Sequence, residues 1–146
     1  MKKLSLLIAF VACFMFSAYA ETVISRNFKD LPVAAFETIT SNFKAKVSLV
    51  KIDKTMGKVN GYEVILSDGS EISFDRAGNW KEVEVGANNT VPSGFLLKGI
   101  TEYVKNNHPK AKIVGVEKER NQYEVELSNN VKIKFDHSGK FLKYDN

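Results

Sequence analysis

Residues 62–84 read YEVILSDGSEISFDRAGNWKEVE, and residues 123–145 read YEVELSNNVKIKFDHSGKFLKYD. Nine of the twenty-three aligned positions are identical, including Tyr-x-Val-x-Leu, the Ile-x-Phe-Asp run and one glycine, so the chain is read as carrying one supersecondary unit twice. In the first copy Tyr62, Val64 and Leu66 share one strand face and Glu63 and Ile65 the other, because strand side chains alternate. A three-residue turn, Ser67-Asp68-Gly69, supplies glycine where positive φ is needed and sets Val64 opposite Ile72 and Tyr62 opposite Phe74. A two-residue turn would oppose core and solvent positions, so the apolar pattern selects the register. In the second copy Asn130 replaces the turn glycine, the next best residue at positive φ. There Val125 is predicted to face Ile133 and Tyr123 to face Phe135, with Glu124 opposite Lys134 and Glu126 opposite Lys132 on the outer face.

Asp75 to Gly78 and Asp136 to Gly139 share Asp-x-x-Gly, which suits a type I turn closed by glycine. A fourth strand starts at Trp80 or Phe141. Pairing Trp80 with Phe74 leaves two options open: a bulge follows Trp80, or Val83 and Val85 lie on the open face. Asp30-Leu31-Pro32 predicts a helix start, followed by Phe36, Ile39 and Phe43 at helical spacing. A strand is expected over 46–52, and DKTMGKVNG at 53–61 is read as a loop. After the linker GANNT, Val91-Pro92 opens a second helix carrying Leu96, Ile100, Tyr103 and Val104, and a strand follows over 111–117. Residues 21–29 receive no assignment. The expected fold is α+β: a tandem repeat of helix plus four-stranded antiparallel sheet, residues 21–86 and 91–146 within one domain.

The first twenty residues have Lys2 and Lys3, an apolar run from Leu4 to Phe16 and a small-residue end, Ala18-Tyr19-Ala20, which predicts a secretory signal peptide cleaved after Ala20. The apolar run is shorter than the roughly 20 residues a membrane anchor needs. A lipoprotein cut before Cys13 is the lesser alternative, since Phe10-Val11-Ala12 is a poor approach and the apolar run continues past it. Cleavage removes the chain's one cysteine, so the remaining 126 residues would rely on packing. Removing Lys2 and Lys3 from 21 basic residues against 17 acidic ones leaves a formal charge of +2. No basic cluster has the density a phosphate backbone calls for, which argues against nucleic acid as a partner. The expected location is the periplasm or outside the cell.

Catalytic groups are hard to assemble from this sequence. His108 precedes a proline, His137 sits in a tight turn, and neither has a partner at metal-ligand or catalytic spacing. The Asp-x-x-Gly turns lack the run of oxygen ligands of a calcium loop. Glu82 and Glu84, two apart on one strand, are read as a solvated face. No enzyme activity, cofactor or metal is expected. The aromatic residues admit two readings: all are core, or Trp80, Phe141 and Tyr144 join Ile65 on an open sheet face as a platform for a protein or peptide.

The arrangement Leu-Pro and helix, YEVILSDGSEISFDRAGNWKEVE, a Val-Pro start to a second helix, AKIVGVEKER and YEVELSNNVKIKFDHSGKF resembles the PepSY-like, beta-lactamase-inhibitor-like domain over nearly all of residues 21–146. The resemblance implies a small exported bacterial protein whose motif contains no reactive group, from a family whose function is uncharacterised. Inhibitors proper carry disulfides, which residues 21–146 cannot form. The function expected from this is an exported, non-enzymatic module that binds an extracytoplasmic protein or peptide through Trp80, Ile65, Phe141 and Tyr144, with an inhibitor-like or hydrolase-modulating role. The alternative is a carrier or sensor of a small ligand held between helices and sheet.

Overall fold

The computed structural model describes residues 19–86 and 88–145, and shows one nine-stranded antiparallel sheet in sequence order with two ten-residue helices. Strands β1 (Ala20–Ser25), β2 (Val47–Thr55), β3 (Lys58–Leu66), β4 (Glu71–Asp75) and β5 (Trp80–Glu84) run on into β6 (Ile113–Lys118), β7 (Gln122–Leu127), β8 (Lys132–Asp136) and β9 (Phe141–Asp145). Helix α1 (Val33–Asn42) lies between β1 and β2, and α2 (Lys98–Asn107) between β5 and β6. Most of the expected signal peptide, residues 1–18, lies outside the described residues.

The expected α+β tandem of two helix-plus-four-strand sheets is overturned by this architecture. The protein is mainly sheet, the helices are short, and no boundary divides the sheet. β5 pairs with β6 through Glu82 with Glu117, Val83 with Val116 and Glu84 with Gly115. Two separate sheets would leave the facing edges of β5 and β6 with unpaired amides and carbonyls, and joining them satisfies both. The linker closes the same seam: the Val85 amide donates to the Val114 carbonyl at 2.9 Å, and the Val91 amide to Ile113 at 2.8 Å. A ninth strand, β1, comes from Ala20, the last residue of the expected signal peptide, and the first five residues of the segment without assignment; it pairs with β2 from Ala20 opposite Thr55 to Ser25 opposite Val50. Residues 53–61 also differ from the expected loop. β2 and β3 continue to a two-residue turn, Met56-Gly57, with φ of 52° and 78°, the double positive φ of a type I′ hairpin.

Both repeated hairpins adopt the register read from their apolar pattern. Tyr62 faces Phe74 and Val64 faces Ile72, while Tyr123 faces Phe135 and Val125 faces Ile133. Gly69 and Asn130 hold positive φ at 85° and 66°. Of the two options at Trp80, the bulge is realised: Phe74 pairs with Trp80 but Ser73 with Glu82, so Lys81 is the extra residue and Val83 returns to the core, fully buried. Leu142 is the corresponding extra residue between Phe141 and Lys143.

These registers line up one apolar row across the sheet: Val50, Val64, Ile72, Val83, Val116, Val125 and Ile133, all within 2 % of full burial. Ala35 and Ile39 of α1 and Ile100 and Val104 of α2 pack into the same cluster, so both helices cover one face. Burying each valine or isoleucine of this cluster contributes about 1.5–3 kcal/mol, the main source of stability in a chain without disulfides. The other face is open and charged.

Candidate functional site

Three features outside this closed core could engage another molecule. The first is a groove of about 430 Å³ at the end of α1. Helix α1 buries Ala35 and Ile39 but turns Phe36 outward, where its ring stacks on Phe28 with centroids 5.1 Å apart and planes 21° from parallel. Phe28 comes from a single 3-10 turn, Phe28–Asp30, whose Lys29 amide donates to the Asn27 side chain. The chain then leaves the helix at Phe43, and Ala45 and Val47 complete the floor as β2 begins. The charged residues lining the groove are Lys44 and Lys46, both exposed. Phe43 continues inward to Phe95 at 5.8 Å, and Phe95 meets Trp80 edge-on at 5.3 Å.

The second feature is the open sheet face. Register places Lys51, Glu63, Ser73, Glu82, Glu117, Glu124 and Lys134 in one cross-strand row. Lysines sit at its ends, with Lys51 3.2 Å from Glu63 and Lys134 3.5 Å from Glu124 and 3.7 Å from Asp145. Its middle has Glu82 directly opposite Glu117, with Glu84 beside them. Burial, then the charge and hydrogen bond of Glu84, then the charges of Glu117 and Glu63, push the Glu82 carboxyl up to about 7. Like charges directly across a ladder destabilise it, so this seam stores repulsion.

The third is a polar cluster on the helix side, where the Tyr144 hydroxyl lies 3.0 Å from both the Tyr103 hydroxyl and His108 Nε2. The Tyr103 ring stacks flat on Phe141, centroids 4.6 Å apart. The hydrogen bond to Tyr144, with burial behind it, holds the Tyr103 phenol up to about 12, so the phenol is no nucleophile near neutral pH. The cluster ties the last strand to α2. Tyr144→Phe is expected to return the Tyr103 titration, followed by ultraviolet absorbance, toward 10, and to cost about 1 kcal/mol in denaturant unfolding.

The residues singled out from the sequence do not form one surface. Trp80 is half-buried on the helix side, between Phe95 and Tyr123, with the Lys118 ammonium 4.3 Å above its ring. Phe141 and Tyr144 are together, ring centroids 5.3 Å apart, in the other half of the sheet. Ile65 is on the opposite face, paired with Leu49 and Glu71. Alternation places it with Glu63, away from Val64, which puts the thickness of the sheet between it and Trp80. The groove itself was missed because Phe36, Ile39 and Phe43 read as one helical stripe. Its signal was Phe28, an aromatic in a segment without assignment, together with two lysines just past the helix.

The carboxylates of the Asp-x-x-Gly turns are occupied within the turns. Asp75 accepts from the Ala77 and Asn79 amides at 2.9 Å, and Asp136 from the Ser138 and Lys140 amides at 2.9 Å. Among the described residues no three acidic, histidine or cysteine side chains are grouped to hold a metal ion, and no helix is long and apolar enough to cross a membrane.

Comparison with known proteins places this geometry in context. The family described as "Putative beta-lactamase-inhibitor-like, PepSY-like" matches residues 60–143. Among solved structures, a putative periplasmic protein of unknown function from Bacteroides vulgatus is 38% identical and superposes with a TM-score of 0.79, over 86% of this chain and 100% of that one. A putative calcium-regulated periplasmic protein from Bacteroides thetaiotaomicron is 32% identical, with a TM-score of 0.76 over 87% of this chain and 97% of that one. A second putative periplasmic protein from Bacteroides vulgatus is 31% identical, with a TM-score of 0.74 and the same coverage. Curated proteins yield no match.

Proposed function

The chain belongs to the PepSY-like, beta-lactamase-inhibitor-like family, and from that premise we propose that it is an exported, non-enzymatic module that binds a protein or peptide in the periplasm. The observation carrying this reading is the groove beside α1, which leaves the stacked Phe28 and Phe36 rings partly open to solvent at the edge of the buried cluster. Aromatic anchors in a desolvated pocket supply most of the energy of typical protein interfaces. The export pattern of residues 1–20 and the periplasmic description of the structural relatives support the location. The inhibitor-like description of the family makes an exported hydrolase the first partner to test. Trp80, Phe141, Tyr144 and Ile65 have a lesser part in this reading, since they are divided between two faces and two halves of the sheet.

A small-ligand carrier needs an enclosed cavity between helices and sheet, whereas the groove at α1 is only half enclosed, which favours a segment of a larger chain. The calcium regulation named for the Bacteroides thetaiotaomicron protein would need converging oxygen ligands, and the described residues offer no group of three. The reading is tested by selecting a random displayed peptide library on the exported chain. Enriched peptides whose binding is lost in Phe28→Glu are expected; no enrichment, or enriched peptides indifferent to that change, overturns it.

A further inference from the structure

We propose that the groove beside α1 seats an acidic peptide segment, with a large apolar side chain against the Phe28 and Phe36 rings and a carboxylate held by Lys44 and Lys46. This rests on the binding-module reading above and names the chemistry of the partner.

Helix α1 leaves an aromatic wall uncovered. Ala35 and Ile39 are sealed against the sheet, but Phe28 keeps 45% of its surface in water although its ring is already ordered by stacking on Phe36. An ordered aromatic wall has lost much of its conformational freedom before a ligand arrives, so little ordering cost remains at binding. The groove volume of about 430 Å³ is within the usual range for a ligand site and is wide enough for one or two side chains.

The rim of the groove is cationic. Lys44 and Lys46 are the charged residues lining the groove, and no acid lines it. Among the described residues neither lysine makes an ion pair. Two unanswered cations beside an apolar floor complement an anion joined to an apolar group. The half-enclosed groove favours a peptide over a free alkyl carboxylate: an alkyl chain there stays partly hydrated, while a peptide brings neighbouring side chains to cover it.

The experiment measures fluorescence anisotropy of two labelled peptides on the exported chain, Gly-Ser-Leu-Phe-Asp-Glu-amide and its Asn-Gln counterpart, with dodecanoate as competitor. Two exposed charge contacts are expected to make the acidic peptide bind about tenfold tighter. The double variant Lys44→Glu, Lys46→Glu is expected to erase that preference, and 0.5 M salt to reduce it. Since both lysines are exposed, an unchanged melting curve verifies that the variant is folded. Phe28→Ala is expected to weaken both peptides alike. Equal binding of the two peptides would overturn the acidic preference while leaving the binding-module reading intact. Displacement by dodecanoate from a site where the peptides show no lysine dependence would overturn it in favour of an amphiphile. No binding of either peptide also overturns it, and the library selection then decides separately whether the module binds peptides at all.

Discussion

Gly78→Ala is expected to lower the melting temperature by about 10 °C, a loss of roughly 3 kcal/mol for a domain of this size. Two effects combine at this turn. Gly78 has φ of +89°, where an L side chain is strained by about 1–2 kcal/mol. A Cβ there would also lie 2.8 Å from Pro32 Cβ and 3.1 Å from the Ala35 amide, so the first turn of α1 would have to move, at about 1–3 kcal/mol. Gly69 provides the control. It has nearly the same φ, +85°, but nothing within 4 Å of a new Cβ, so Gly69→Ala should show the backbone strain alone, about 1–2 kcal/mol. Equal melting temperatures for the two variants would show that the turn does not hold α1 in place. The second half repeats the device: a Cβ on Gly99 of α2 would lie 2.6 Å from the Gly139 carbonyl oxygen.

The second large effect is a stability that declines with rising pH near neutrality, measured as a falling urea midpoint between pH 5 and pH 8. The Glu82 carboxyl is raised from 4.5 to about 7 in the folded protein by burial and by Glu84, Glu117 and Glu63. An acid with a raised folded value binds its proton more tightly when folded, so its stabilising contribution is full below pH 4.5 and is lost as pH rises through about 7. Glu82 also shares a surface cleft with Lys81, Lys118 and Asp53, and this solvent-screened setting reduces the contribution to about 1–2 kcal/mol. Glu82→Gln is expected to flatten the slope and to raise stability at pH 8. Glu117→Gln should act in the same direction by removing the carboxylate directly opposite. Asp75 and Asp136 act in another window. Their values are lowered, Asp75 by amide hydrogen bonds that outweigh its burial and Asp136 first by Ser138, so their stabilisation fades only below pH 3.8. A wild-type midpoint that rises from pH 5 to pH 8, with Glu82→Gln parallel to it, would refute the seam as a source of strain.

The hairpins were legible because both of their determinants are local. Alternation over five residues and a glycine or asparagine at the positive-φ position left one register that kept Tyr62, Val64 and Leu66 on the core side. The family resemblance rested on the same motifs and holds. The bulge at Lys81 was legible as one of two options, and burial of Val83 in the core row decides it. Other elements left weaker marks. β1 is a short mixed segment, Ala-Glu-Thr-Val-Ile-Ser, whose strand state comes from pairing with β2, not from its own pattern. The hairpin at Met56-Gly57 was obscured because turn-forming residues also occur in loops, and only the two positive φ angles distinguish it.

Taken alone, the sequence determined local facts: which side chains share a strand face, where the chain must turn, and that residues 62–84 and 123–145 build the same hairpin. It also placed Glu82 and Glu84 on one strand, since alternation is a property of a single segment. The tertiary structure decided what those segments meet. Main-chain pairing of β5 with β6 made one nine-stranded sheet, because amides and carbonyls carry no side-chain signature by which a distant edge can be recognised. That same pairing set Glu82 against Glu117. The packing of α1 then left Phe28 and Phe36 stacked over an open groove beside Lys44 and Lys46, a conjunction of residues up to eighteen positions apart that no periodicity within one segment encodes.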